Sequence, residues 1–275
     1  MYRRIASGLY QTSRRKLALA QQKSVFVPET VVTTLPNGFR VATENTGGST
    51  ATIGVFIDAG SRYENEKNNG TAHFLEHMAF KVGVFIEKDE GKTRVKLQGT
   101  PRRTRTGLEL EVENIGAHLN AYTSRESTTY YAKCFTERLD QSVDILSDIL
   151  LNSRLDSKDV KAERSVIIRE MEEVAQNFQE VVFDVLHSKV FDGNPLGFTI
   201  LGPIENIETI NRRDLQQYID THYRSGRMVL AAAGGVDHDE VVRMAEKYFG
   251  KLQHGDSSSE FTPAVYQPTD VSVIY

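Results

Sequence analysis

The stretch His73-Phe74-Leu75-Glu76-His77 decides how the rest of the chain is read. On a helix, residues four apart stand one above the other, so His73 and His77 can aim two imidazoles at one metal ion. Glu76 borders the same face, where its carboxylate can take a proton from a water at that ion instead of binding the ion itself. The order H-x-x-E-H is the layout of a zinc hydrolase. A five-residue pattern is short, so its meaning rests on what surrounds it.

Upstream of the motif, Gly60 to Gly70 is a polar loop that delivers the chain to the histidine helix, with Asn68, Asn69 and Thr71 as candidate N-caps. Before the loop, Ala51 to Ala59 alternates as a strand does, placing Ile53, Val55 and Ile57 on one face. Further back, Val31 to Thr34 and Phe39 to Ala42 flank Leu35-Pro36-Asn37-Gly38, a hairpin signal.

Downstream, Thr106 to Ile115 carries Leu108, Val112 and Ile115 at helical spacing and stops before Gly116, a C-cap glycine. Ala117 to Ser124 and Ser127 to Phe135 read as two strands joined by a tight turn at Arg125-Glu126. Leu139, Val143, Leu146 and Leu150 mark an amphipathic helix, and Ser157 caps another that runs to about Asn177 or beyond. Glu163 and Glu170 lie seven apart on that helix, two turns along one stripe; spacing alone does not separate them from solvated carboxylates such as Glu172 and Glu173. After a loop from Asn194 to Pro203 come a helix from Arg213 to His222, a buried strand from Met228 to Ala233 and a helix from Glu240 to Phe249. The fold class expected is α+β, a mostly antiparallel sheet packed with helices.

The chain has 275 residues, 39% of them apolar, enough for a substantial core, and no apolar run approaches the length that spans a bilayer. Cys134 is the single cysteine, which excludes an intrachain disulfide and a thiolate-rich metal site. It reads as a small buried residue. His118, His187, His222, His238 and His254 lack paired spacing and read as surface or capping residues.

Residues 1–28 carry six Arg or Lys and no acid, with several Ser and Thr. That is the composition of a mitochondrial transit peptide, expected over 1–27, with a basic surface helix or nucleic-acid arm as the competing reading. The remainder holds 27 basic and 37 acidic residues, a net charge near −10, which disfavours nucleic acid and suits a basic ligand. From Gln253 the chain turns polar through Asp256-Ser257-Ser258-Ser259, then ends as Val271 to Tyr275 begins to look like a strand. The expected organisation is therefore a domain over 28–252, and over 253–275 a linker with the start of a second half.

Three runs are similar to the pitrilysin-type, inverted-motif zinc peptidases: Asn69 to Lys81 (NGTAHFLEHMAFK), Gly116 to Glu126 (GAHLNAYTSRE) and Glu163 to Val174 (ERSVIIREMEEV). Within that family the chain most resembles beta subunits of the branch that processes mitochondrial presequences. The third metal ligand of the family is a glutamate about 76 residues beyond the second histidine. Here Glu170 follows His77 by 93, but Val82 to Gln98 are 17 residues that the family lacks, and without them the spacing returns to 76. The resemblance implies zinc on His73, His77 and Glu170, with Glu76 as general base and Glu163 in support. It also implies Phe80 in the pocket for the residue after the cleavage site. Asn120, Ala121 and Tyr122 would be an edge strand that pairs with substrate, and Glu180 with Asp184 would receive a substrate arginine.

By the same resemblance, the partners are basic presequence peptides and an alpha subunit that contributes a glycine-rich loop, and the location is the mitochondrial matrix. A core subunit of the cytochrome bc1 complex, a scaffold at the matrix face of the inner membrane, is the alternative. Retention of His73, Glu76, His77 and Glu170 favours the enzyme. Because Val82 to Gln98 interrupts a uniform match beside Phe80, the sequence suggests a retained intron or a gene-model error there rather than an evolved element. These 275 residues alone are expected to show little peptidase activity.

Overall fold

The computed structural model describes residues 28–81, 96–97, 99–255 and 263–268. Strands β1 (Thr30–Thr34) and β2 (Arg40–Asn45) form the opening hairpin, followed by β3 (Thr50–Ile57) and helix α1 (Thr71–Ala79). Two short strands pair with each other: β4 (Phe80–Lys81) just before the insertion and β5 (Lys96–Leu97) near its end. Next come α2 (Arg105–Asn114), β6 (His118–Thr123), β7 (Thr128–Phe135), α3 (Leu139–Leu151), α4 (Ser157–Val174) and α5 (Phe178–Val190). The order closes with α6 (Ile204–Thr209), α7 (Arg212–His222), β8 (Met228–Gly234) and α8 (His238–Phe249).

Six strands make one sheet in the order β1-β2-β8-β3-β7-β6. Every pairing is antiparallel except β2 with β8, so the expected α+β class holds. β3 shows why the helices take one face. Ala51, Ile53, Val55 and Ile57 point to one side and are buried, whereas Thr52 and Phe56 point to the other and are exposed. On the helical side α3 lies over β3 and β7, α8 over β2, and α1 against β6. Leu139, Val143, Leu146 and Leu150 of α3 all enter that core, as does Cys134.

The expected strands stand within a residue or two of their sequence limits, except β2, which runs three residues past Ala42 to Asn45. Thr104 caps α2 by accepting from Gly107 N–H, and Gly116, at φ +63°, supplies the left-handed residue that ends it. Two helix signals need correction. The helix expected from Ser157 past Asn177 is two helices, because Asn177 accepts from Gln179 N–H and starts α5 anew. Asp156 holds the cap position of α4, with Ser157 its first residue. The possible strand at Val271–Tyr275 and the segments 1–27 and 82–95 lie outside the described residues.

Candidate metal centre

α1 enters the core through a loop that sequence signals misassign. The expected caps Asn68, Asn69 and Thr71 yield to Glu64, a buried carboxylate earlier in the loop. Its Oε1 accepts Ala72 N–H at 2.7 Å, and its Oε2 accepts Gly70 N–H at 2.9 Å and Asn69 Nδ2 at 2.8 Å. An anion at a helix N-terminus satisfies open amides and opposes the helix dipole. Burial pushes the Glu64 carboxyl up to about 7, against the pull of these donors. Gly70, at φ +103°, makes the turn; a Cβ there would lie 2.7 Å from Leu201 O.

So fixed, α1 holds His73 and His77 each 6% exposed, their rings edge to face with centroids 4.6 Å apart. α4 packs against α1 and turns Glu163 and Glu170 toward these rings. Glu170 Oε2 stands 2.9 Å from His77 Nε2 and 3.7 Å from His73 Nε2. Ligand atoms of the three residues all lie within 4.8 Å of one another.

Glu163, fully buried, takes the far side of His77: its Oε1 lies 3.0 Å from Nδ1. With the Nδ1–H donated to Glu163, the Nε2 lone pair faces the Glu170 carboxylate. Two electron-rich atoms at that distance need a proton or another cation between them. Burial alone would lower His77, but Glu163 and Glu170 outweigh it and push it up to about 9. Burial likewise opposes ionisation of Glu170, and the two imidazoles outweigh it, holding the carboxyl well below its usual range. The donor set of two imidazoles and one carboxylate thus fits a divalent ion, which would take the place of the proton.

Glu76, on the same helix, is half-buried. Beneath it Tyr130 of β7 and Tyr223, just after α7, bring their hydroxyls within 3.3 Å of each other. Burial raises both phenols first; Tyr223 and then the charge of Glu76 add to it at Tyr130, and at Tyr223 the charge of Glu76 adds to it while the bond with Tyr130 opposes. No pattern in the sequence singled out either tyrosine or Glu64.

The remaining candidates surround this centre. β6 is an outer strand of the sheet, so Asn120, Ala121 and Tyr122 stand on an edge, beside α1. Asn120 and Tyr122 are exposed, and Asn120 Nδ2 donates to Tyr131 Oη at 3.2 Å. Phe80 begins β4 directly after α1, its backbone opposite Leu97. Glu180 is exposed on α5, but Asp184 is not the open carboxylate its spacing suggests. Arg125, in the β6–β7 turn, donates from Nη2 to Asp184 Oδ1 at 2.6 Å.

One histidine departs from the bland reading. His222 is buried, its ring centroid 4.4 Å from that of Tyr218, and Arg227 Nη1 meets its Nδ1 at 2.8 Å. Burial, then the Arg227 charge, lowers it to about 4. His238 bridges Thr33 and Thr43 through its two ring nitrogens.

A family model described as "Insulinase (Peptidase family M16)" matches residues 40–84 and 93–204, which contain α1 and α4 with every residue of the centre. The chain belongs to peptidase family M16. The match of this M16 chain breaks over 85–92, inside the insertion, and a model described as "Peptidase M16 inactive domain" matches residues 209–274. Membership implies a divalent metal. Mitochondrial-processing peptidase subunit beta of Caenorhabditis elegans is 79% identical over 271 residues, covering 98% of this chain and 56% of that protein. The proteins of the same name from Mus musculus and Saccharomyces cerevisiae are 57% and 51% identical, each over 94% of this chain. The M16 chain spans about half the length of the curated relatives it matches. Among solved structures, a protease from Helicobacter pylori superposes with a TM-score of 0.72 at 22% identity, over 86% of this chain and 54% of that one. At that identity the likeness concerns the fold.

Proposed function

We propose that the chain carries the metal-binding half of a zinc endopeptidase that removes basic N-terminal presequences from proteins entering the mitochondrial matrix, working beside an alpha subunit. The observation that carries this is the convergence of His73, His77 and Glu170, with Glu163 behind His77 and Glu76 alongside. Support comes from the relatives, each named as the beta subunit of a processing peptidase. The acidic body of the chain and the exposed edge at β6 suit a basic, extended peptide.

His73, His77 and Glu170 would hold a zinc ion, which when bound would supply Lewis-acid polarisation of a peptide carbonyl and of the attacking water. Glu76 takes that water's proton and returns it to the departing amine. Glu163 accepts the Nδ1 proton of His77 and fixes which ring nitrogen faces the ion. Asn120 to Tyr122 hydrogen-bond the substrate backbone as an added strand, Phe80 receives the side chain after the cut, and α5 receives an upstream arginine through Glu180 and Asp184.

The test is metal analysis and presequence-peptide cleavage by the full-length protein with its second subunit. The reading expects one zinc per chain, lost together with cleavage in the His77→Ala variant. Cleavage that survives this substitution overturns it, and co-purification with a respiratory complex without cleavage would favour the scaffold role.

A further inference from the structure

The two imidazoles of the centre are secured in different ways. His77 is held at both ring nitrogens, with Glu163 Oε1 3.0 Å from Nδ1 and Glu170 Oε2 2.9 Å from Nε2. At His73 the Glu170 oxygen stands farther off, 3.7 Å from Nε2, and Nδ1 is buried without a hydrogen-bond partner among the described residues. A metal-binding histidine ordinarily donates from its second nitrogen to a carboxylate or carbonyl that fixes the ring. His73 lacks that brace, so its place depends on the backbone that carries it.

That backbone is the first turn of α1, where His73 is the third residue. Glu64 spans the turn: Oε1 accepts the N–H of Ala72, the residue just before His73, and Oε2 accepts the N–H of Gly70. A pinned loop delivers this carboxylate. Tyr218 of α7 donates to Gly60 O at 3.1 Å, and Asn206 of α6 donates to Glu66 O and Asn69 O at 3.0 and 3.1 Å. The charge of Glu64 has an effect of its own. The first turn of a helix is its positive end, an unfavourable place to hold a cation, and a buried carboxylate there offsets it.

We propose that Glu64 is the positioning residue for His73, as Glu163 is for His77: it holds the first turn of α1 so that His73 completes the three-ligand cage. This rests on the reading above that His73, His77 and Glu170 hold zinc. Glutamine at position 64 keeps the shape but turns one acceptor oxygen into a donor that faces a backbone N–H, and it removes the charge. The first turn then loosens, and the centre keeps His77 and Glu170 while its hold on His73 weakens.

The experiment measures zinc affinity by chelator competition on the full-length protein with its second subunit, as a double-mutant cycle. Glu64→Gln is expected to weaken zinc about 10–100-fold, the loss typical of removing a group that orients a ligand. In a His73→Ala background the same change should cost no more than about twofold, because its target is gone, whereas in a Glu163→Gln background it should cost the full factor. Asp237→Ala removes the cap of α8, which packs on β2 and α3, and should leave zinc affinity within about twofold. That control separates a lost brace from a general loss of stability. Hydrogen exchange on the metal-free complex needs no zinc: Glu64→Gln should speed exchange over residues 70–74 about tenfold and leave residues 75–79 as they are. An unchanged affinity in Glu64→Gln, an equal loss with and without His73, an equal loss from Asp237→Ala, or exchange that rises evenly along α1 overturns the proposal while the zinc site stands. Absence of stoichiometric zinc from the unsubstituted protein overturns the zinc reading and the proposal with it.

Discussion

α4 and α5 follow one another with three residues between them, yet they hold charge in opposite ways. α4 turns the fully buried Glu163 and the half-buried Glu170 inward, and each meets an imidazole of α1. α5 buries only Val190 of its thirteen residues and shows Glu180, Phe178 and Phe183 to solvent. Under the proposed function this difference divides the labour. Groups that hold an ion must be fixed to fractions of an ångström, which burial and mutual hydrogen bonds achieve, whereas groups that meet an arriving chain must stay accessible. A buried carboxylate without its imidazole partner is costly, so α4 is constrained by stability and chemistry together.

The largest expected contrast is at the ligands. Glu170→Gln should abolish stoichiometric metal in an elemental assay, whereas Asp184→Asn one helix on should leave it unchanged; loss of metal in both would erase the distinction between the helices. Glu76→Gln should keep the metal and lower the cleavage rate of the full-length complex by about 10²–10⁴-fold, the span typical of a general base. Glu163→Gln, which leaves all three ligands in place, should weaken metal affinity by about 10–100-fold in a competition titration with a chelator.

A pH effect comes next. His222 titrates near 4 in the fold, below the ordinary value of 6.5, so the unfolded chain takes up the proton first as pH falls. The stability it contributes is complete above about pH 6.5 and is lost between there and about pH 4, roughly 3 kcal/mol in total. Urea melts across that range should flatten in His222→Gln; an unchanged slope would mean the buried cluster does not bind its proton as described. The smallest effect belongs to the rim. Breaking the Arg125–Asp184 pair should cost no more than about 1 kcal/mol of stability in the same melts, as partly exposed ion pairs do.

Periodicity and turn chemistry carry most of the fold. Ile53, Val55 and Ile57 mark the face of β3 that goes inside, and Gly116 marks the end of α2, because both signals are local. The centre is legible only in part. His73 and His77 meet because helical spacing brings them together, but nothing within α4 tells which of its carboxylates will face α1, and only the resemblance singled out Glu170. Tyr130 and Tyr223 meet across 93 residues, so no local spacing reveals them, and Glu64 caps α1 from eight residues before Ala72, outside the usual cap position. The same holds for Asp184, which spacing presents as one of two open carboxylates. Its partner Arg125 is 59 residues away in sequence.

The position of β8 sets a timetable for assembly. Residues 228–234 slot between β2 and β3, so the opening hairpin has no neighbour in the sheet until the chain has grown nearly two hundred residues past it. Until then both flanks present bare amides and carbonyls, a template for wrong partners. Closure over so long a separation is slow, and a ribosome or translocation pore that holds back this one segment would keep the whole sheet open.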